Sequence, residues 1–165
     1  MVYYIIIRGP LGCGKSTIAE NLTTLLHAEY ISIDKALEEN KLDKVGPEAE
    51  CIPVENFIKA NEIVIPKVKE KLKTGKIVVF DACFYHKKAI DHLIQNLEYP
   101  HYVFTLKAPI EVCIERDMKR KKRLGEDAVR AVHILVSRFD YGAVIDASQP
   151  LDTTIKNILF YLPKN

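Results

Sequence analysis

The feature that most constrains this chain is residues 9–16, GPLGCGKS, which match the pattern G-x-x-x-x-G-K-[ST]. An apolar, β-rich run over residues 2–7 precedes this segment, and an amphipathic helical pattern over residues 16–26 follows it. Strand, glycine-rich loop and helix in this order are typical of a phosphate-binding loop. The alternative is a glycine-rich turn at a helix start with Lys15 merely solvated, which the flanking patterns disfavour.

The residue types in this loop suit a polyphosphate. Glycines let the backbone curl into a nest of N–H donors, and the following helix directs its free N–H groups to the same point. Lys15 is a mobile charge that can bridge the outer phosphates, and the Ser16 hydroxyl is placed to hold Mg²⁺. We therefore predict that nucleotide phosphates are bound by nine residues: Gly9, Pro10, Leu11, Gly12, Cys13, Gly14, Lys15, Ser16 and Thr17.

Length, composition and charge exclude several classes of protein for this chain. The 165 residues suit one domain over 1–165, and a net charge of +2 gives no overall signal for nucleic acid or membrane. No apolar run approaches the roughly 18 residues of a membrane span. Four scattered cysteines indicate neither a zinc site nor a disulfide framework, so we expect a cytoplasmic protein without a secretory segment. Cys13 is either a small loop filler or, beside Lys15, a thiol of lowered pKa.

Five short apolar runs alternate with helical patterns, which predicts an α/β fold with a parallel sheet covered on both faces. The predicted strands are residues 2–7, 29–33, 76–80, 102–106 and 143–145. The predicted helices are residues 16–26, 54–73, 86–97, 109–122, 126–139 and 152–161, with a helical turn at 35–40. Pro66 either kinks the helix over 54–73 or divides it, and Thr74-Gly75 is its predicted C-terminal stop.

Aspartates follow three of the strands, at the sheet edge where such folds bind ligands. Asp81 ends an apolar strand and can hold Mg²⁺ together with Ser16; the alternative is a cap for the next helix or turn. Asp34 is the candidate general base, which receives the proton of an acceptor hydroxyl, or a residue that only binds the acceptor; the alternative is an N-cap for residues 35–40. Asp146 follows the last strand, where its loop could lie against a nucleotide base or simply turn into the final helix.

A cationic cluster comes late in the chain: Arg116, Lys119, Arg120, Lys121, Lys122 and Arg123. On a continuous helix, four of these share one face: Arg116, Lys119, Arg120 and Arg123. That face could close over a triphosphate as a lid at about 116–126, with Gly125 as a hinge-like break. The alternatives are a solvated helix end and a nucleic-acid contact.

These motifs together resemble the small P-loop kinases, a superfamily that includes nucleoside monophosphate, shikimate, gluconate and adenylylsulfate kinases. The resemblance rests on the loop at 9–16, Asp34, the strand ending in Asp81 and the segment Cys113-Ile114-Glu115-Arg116-Asp117 with Arg120. Within the superfamily the chain looks closest to the polynucleotide 5′-hydroxyl kinase, chloramphenicol phosphotransferase and zeta-toxin group.

The resemblance implies a three-layer α/β/α sandwich, a five-stranded parallel sheet in the order 2-3-1-4-5 and a P-loop NTPase fold with a small helical lid. It implies ATP and Mg²⁺ as cofactors, with Ser16 and Asp81 supporting the metal. The catalytic residues it implies are Lys15, Asp34, Arg116 and Arg120. One departure is Lys35, where several of these kinases have an arginine that grips the acceptor.

We therefore expect a P-loop phosphotransferase that moves the γ-phosphoryl group of Mg-ATP to a hydroxyl of a small molecule or nucleotide. One alternative is a nucleotide-binding ATPase or switch that acts on a partner. Another is a kinase for nucleic-acid 5′-hydroxyl ends. We expect no membrane partner and a monomer or homodimer.

Overall fold

The protein is built on one parallel sheet, as seen in a computed structural model that describes residues 1–164. Its five strands lie in the order β2-β3-β1-β4-β5, which confirms the predicted fold class and strand order. The strands are β1 (Tyr4–Arg8), β2 (Glu29–Ser32), β3 (Val78–Ala82), β4 (His101–Lys107) and β5 (Ala143–Asp146).

Seven helices connect and cover the strands in the described residues. They are α1 (Lys15–Leu25), α2 (Ile33–Glu39), α3 (Val54–Lys73), α4 (Lys87–Leu97), α5 (Ile110–Met118), α6 (Glu126–Val136) and α7 (Leu151–Phe160). Helices α2, α3 and α4 pack with one buried cluster and α1 and α7 with the other, while α5 and α6 contact each other.

Both faces of the sheet are buried because alternate residues of each strand point to opposite layers. In β1, Tyr4 and Ile6 belong to the cluster on one face, whereas Ile5 and Ile7 belong to the cluster on the other. All five residues of β1 are buried, which explains why this strand is a continuous apolar run up to Arg8. None of the helices in residues 1–164 has the length and apolar character needed to cross a bilayer.

The strand register gathers the candidate residues at one edge. β1 is central, and its Ile7 pairs with Asp81 of β3, which in turn pairs with Ser32 of β2. The phosphate loop leaves β1 just beyond Ile7, and α2 leaves β2 just beyond Ser32. The loop, Asp81 and the start of α2 therefore meet at the carboxyl end of the sheet.

Several predicted boundaries are wrong at the ends of elements. Asp34 lies in the first turn of α2, not at the tip of a strand, and Asp81 and Asp146 lie inside β3 and β5. The segment 54–73 is one continuous helix, so Pro66 does not divide it. Thr74 is its C-cap, as the sequence predicts.

The largest correction concerns the helix predicted over 109–122, which ends at Met118. The carboxylate of Asp117, 2% exposed, accepts hydrogen bonds from the backbone N–H groups of Leu124 and Gly125, at 3.0 Å for each. Those bonds turn the chain back toward α6. In a longer helix the same N–H groups would bond to helix carbonyls and could not reach the buried carboxylate. The shared helical face predicted for Arg116, Lys119, Arg120 and Arg123 is therefore wrong.

Candidate active site

The phosphate loop connects β1 to α1 through two glycines in the left-handed region. Gly12 has φ 78° and Gly14 has φ 94°, a conformation that other residues rarely adopt. A Cβ at Gly12 would also collide with the backbone carbonyl of Cys113 in α5. These two positions hold the loop against the helix that leads into the predicted lid.

The loop ends as an uncapped helix N-terminus. Gly14 is the N-cap of α1 and makes no side-chain capping bond, and the first hydrogen bond of the helix runs from Ile18 N–H to Gly14 C=O at 2.9 Å. The N–H groups of Lys15, Ser16 and Thr17 precede that bond and have no carbonyl four residues earlier in the helix. The first turn of α1 is therefore ready to bind an anion.

Lys15 lies inside the loop, 7% exposed, with its Nζ donating to the Pro10 carbonyl at 3.2 Å. Burial acts to lower the pKa of Lys15, but the charges of neighbouring groups, the carboxylates of Asp34 and Asp81 among them, outweigh it, so the pKa is raised above its ordinary value. The amine therefore stays charged at neutral pH. In this structure it donates to a carbonyl of its own loop, a bond that a phosphate oxygen could replace.

Asp34 faces the same edge from the first turn of α2. Both of its carboxylate oxygens accept the Cys83 backbone N–H, at 3.4 and 3.3 Å. The capping role is taken instead by Ser32, whose hydroxyl accepts Lys35 N–H at 3.2 Å, so the alternative of Asp34 as an N-cap is excluded. Burial raises the pKa of Asp34, and the charge of Lys15 opposes that shift.

Asp81 is 1% exposed and does not cap the next helix, whose N-cap is His86. Its Oδ2 accepts a hydrogen bond from the Tyr30 hydroxyl at 2.8 Å. The Asp81 carboxylate is therefore held by Tyr30 of β2, on the face of the sheet that α1 covers.

Arg116 of α5 lies over the phosphate loop. Its Nη1 donates to the carbonyls of Cys13, at 2.9 Å, and Ala147, at 2.8 Å, and so joins the loop to the segment after β5. A cavity of about 340 Å³ opens here, a volume typical of small-molecule sites. Its lining includes Lys15, Ser16, Thr17, Arg116, Arg120 and Gln149.

The sequence leaves alternatives for Asp146 and Cys13. Asp146 itself does not line this cavity, whereas Ala147 and Gln149 of its loop do, and Cys13 lines it as part of the phosphate loop. Asp146 is exposed and is engaged by Ser148 and Gln149, whose hydrogen bonds lower its pKa and shape the turn into α7. Cys13 is fully buried, and burial raises the pKa of its thiol, which makes it a loop filler and not a reactive nucleophile.

The oxygen atoms of the site suit a Mg²⁺ ion that binds together with a nucleotide. Residues 1–164 contain no cluster of three or more His, Cys, Asp or Glu side chains able to hold a metal by themselves. Mg²⁺ is commonly bound by one or two protein oxygens and completed by phosphates and water. The Ser16 hydroxyl and the Asp81 carboxylate supply two such oxygens.

Sequence reasoning missed Arg8, the last residue of β1. Its guanidinium is fully buried and donates to the carbonyls of Phe84, Val136 and Phe139 and to the Thr105 hydroxyl. Burial lowers its pKa to about 10, so it remains charged at neutral pH. The available signal was an arginine directly before the phosphate loop, at the end of a strand that is apolar on both faces.

The AAA domain family matches residues 5–138, most of the chain. This chain belongs to the AAA domain family. The match begins in β1, includes the phosphate loop and the segment predicted to be a lid, and ends just after α6.

Two solved structures share the fold of this AAA domain. A sugar kinase from Janibacter sp. HTCC2649 has a TM-score of 0.77 and 18% identity, covering 98% of this chain and 94% of that one. A gluconokinase from Sinorhizobium meliloti 1021 has a TM-score of 0.67 and 15% identity, covering 95% and 89%. These likenesses establish the P-loop kinase fold.

A curated relative, shikimate kinase from Vibrio cholerae serotype O1, is 36% identical over 67 residues. The match covers 41% of this AAA domain and 38% of the relative, so the chain spans well under half of that protein. The predicted P-loop kinase superfamily is confirmed by these matches, which do not bear on the closer subgroup.

Proposed function

We propose that this AAA domain is a kinase that transfers the γ-phosphoryl group of Mg-ATP to a hydroxyl group of a small molecule or nucleotide. The observation that carries the proposal is the placement of Asp34, which caps no helix and lies at the carboxyl end of the sheet, where the Cys83 N–H just after β3 holds its carboxylate. Simple hydrolysis or switching does not require a base for an acceptor hydroxyl, whereas phosphoryl transfer to an alcohol does.

Different residues of the chain have different roles in the transfer of the phosphoryl group. Asp34 takes the proton as the O–H bond of the acceptor breaks and its oxygen bonds to the γ-phosphorus. The bond from that phosphorus to the β–γ bridging oxygen breaks, and ADP leaves with the electron pair. Lys15, Arg116 and Arg120 stabilise the charge on the phosphate oxygens.

Burial suits Asp34 to this task. A raised pKa makes a carboxylate a stronger base, and the hydrogen bond from Cys83 N–H fixes its position. Mg²⁺, when bound with the nucleotide, neutralises phosphate charge and would be held by Ser16 and Asp81.

The names of the similar proteins support a small hydroxyl compound as the acceptor. Shikimate kinase, gluconokinase and sugar kinase are all named for small molecules that carry hydroxyl groups. On the acceptor side of this chain, the exposed Lys35 follows Asp34 and pairs with Glu39 at 3.7 Å, in place of a gripping arginine. An acceptor that depends on an arginine clamp is therefore disfavoured.

The experiment that tests the proposal follows the label from γ-labelled ATP into pools of metabolites and oligonucleotides. We expect label in a small hydroxyl compound, and we expect Asp34→Asn to slow its appearance by about 10²- to 10⁴-fold. ATP affinity, measured by calorimetry, should stay close to that of the wild type because Asp34 lies on the acceptor side.

Asp91→Asn is the matched control, since Asp91 contacts Tyr141 away from the loop and its variant should transfer normally. Label released only as inorganic phosphate, whatever hydroxyl compound is added, would favour the ATPase or switch. Label on oligonucleotide ends, with binding that weakens steeply in salt, would favour the nucleic-acid end kinase.

A further inference from the structure

Tyr30 contributes one side-chain hydrogen bond to the candidate site. Its hydroxyl donates to Asp81 Oδ2 at 2.8 Å, and within residues 1–164 the Asp81 carboxylate accepts no other hydrogen bond. Asp81 is nevertheless 1% exposed. A buried carboxylate usually has several donors, so the second oxygen of Asp81 retains unused acceptor capacity.

The sheet explains how Tyr30 reaches this carboxylate. Tyr30 pairs with Val79, two residues before Asp81 in β3, so alternation places Tyr30, Val79 and Asp81 on the same face. That face is the one covered by α1, whose first turn carries Ser16. A tyrosine is long enough to span the two-residue offset and end at the carboxyl edge of the sheet.

The electrostatics agree with this placement. Burial raises the pKa of the Tyr30 hydroxyl, and the charge of Asp81 and the hydrogen bond to it raise it further. The neighbouring hydroxyls of Ser16 and Ser32 act in the opposite direction. Tyr30 is therefore held by its hydrogen bond to Asp81, with Ser16 nearby, beside both protein oxygens proposed for the metal.

We propose that Tyr30 is a positioning residue of the magnesium site, which holds the Asp81 carboxylate beside the Ser16 hydroxyl. The inference rests on the proposed function, because it assumes that Mg²⁺ enters with a nucleotide. Partners that orient a ligating carboxylate commonly change metal affinity about 10- to 100-fold when they are removed. Since phosphates supply part of the binding here, the lower end of that range is expected.

A purely structural role for Tyr30 makes a different prediction. If the hydroxyl only satisfies a buried carboxylate, its removal lowers stability and leaves metal affinity unchanged. Tyr30→Phe separates the two roles because the ring keeps its packing and only the donor is lost. The chain also offers a second tyrosine–aspartate pair, Tyr141 hydroxyl to Asp91 Oδ1 at 2.6 Å, as a matched control.

The experiment titrates Mn²⁺, as a spectroscopic substitute for Mg²⁺, into the full chain saturated with ADP and measures free Mn²⁺ by electron paramagnetic resonance. For Tyr30→Phe we expect about tenfold weaker Mn²⁺ binding, with ADP affinity in a metal chelator unchanged. For Tyr141→Phe we expect wild-type Mn²⁺ binding, whatever the change in its unfolding temperature.

The outcomes separate this inference from the proposed function. Wild-type Mn²⁺ binding in Tyr30→Phe, tighter binding, or an equal loss in both tyrosine variants would overturn the positioning role and leave the kinase proposal intact. No Mn²⁺ binding by the wild type with ADP would overturn the proposed magnesium site, and the positioning role with it.

Discussion

Lys15 is a buried cation that its surroundings keep charged. Within residues 1–164 its Nζ has only the Pro10 carbonyl as a hydrogen-bond acceptor, at 3.2 Å, and the carboxylates of Asp34 and Asp81 act on it from a longer range. A bound phosphate would replace the carbonyl with a charged acceptor, which makes a shorter and stronger bond. At this scale the site contains a buried, charged amine whose hydrogen-bond acceptor is a neutral carbonyl, and a bound phosphate would supply the opposite charge.

We expect Lys15→Ala to weaken ATP binding by about 10- to 100-fold, since a hydrogen bond to a charged group contributes roughly 1.5–3 kcal/mol. Calorimetric titration of ATP with Mg²⁺ present measures the change. Lys73→Ala, at an exposed position in the last turn of α3, is the control and should bind ATP normally. An unchanged titration for Lys15→Ala would refute the role of the loop.

At the scale of elements, Arg8 joins three parts of the fold that are distant in sequence. Its guanidinium binds the carbonyls of Val136 and Phe139 at and beyond the end of α6, the Thr105 hydroxyl in β4 and the carbonyl of Phe84. It also lies 4.3 Å from the ring centroid of Phe139. These bonds fasten the C-terminal end of α6 to β1, the strand that leads into the phosphate loop.

Arg8→Lys should destabilise the protein by about 2–4 kcal/mol, because a lysine cannot reach all four acceptors and leaves buried oxygens unsatisfied. Denaturant unfolding measures the loss as a lower midpoint at an unchanged slope. Arg138→Lys is the control. In the part of the chain that the structure describes, Arg138 pairs only with the exposed Glu50, so this substitution should cost little stability. Equal stability of both variants would mean that the Arg8 bonds do not hold α6.

For the whole molecule, the candidate base ties stability to pH. The raised pKa of Asp34 means that the native state binds a proton which the unfolded state has already released. The stability from that proton is fully present below the ordinary aspartate pKa and is lost as pH rises through the raised pKa. Near neutral pH the charged, partly buried carboxylate therefore opposes folding.

Asp34→Asn removes this titration, so its unfolding temperature relative to the wild type should increase as pH rises from about 4 to about 8. Parallel thermal scans of both proteins across this range measure the difference. Asp91→Asn should show no comparable increase. A difference between Asp34→Asn and wild type that stays constant with pH would contradict the raised pKa of Asp34.

What could be predicted from the sequence follows from local chemistry. The strand, loop and helix around residues 9–16, the parallel sheet, the stop at Thr74 and the candidates Asp34 and Asp81 all depend on patterns within a few residues. The errors arose where a distant group decided the outcome. Asp117, for instance, ends α5 at Met118 by binding backbone seven and eight residues later.

The sequence by itself determined the phosphate loop, the fold class and the short set of charged residues that a nucleotide site could use, because periodicity and glycine spacing are local. Only the tertiary structure decided how those residues are held. The bonds from Tyr30 to Asp81, Arg116 to Cys13 and Arg8 to Val136 join residues 51, 103 and 128 positions apart. Contacts of that separation form when the sheet brings its carboxyl ends together, and no local pattern encodes them.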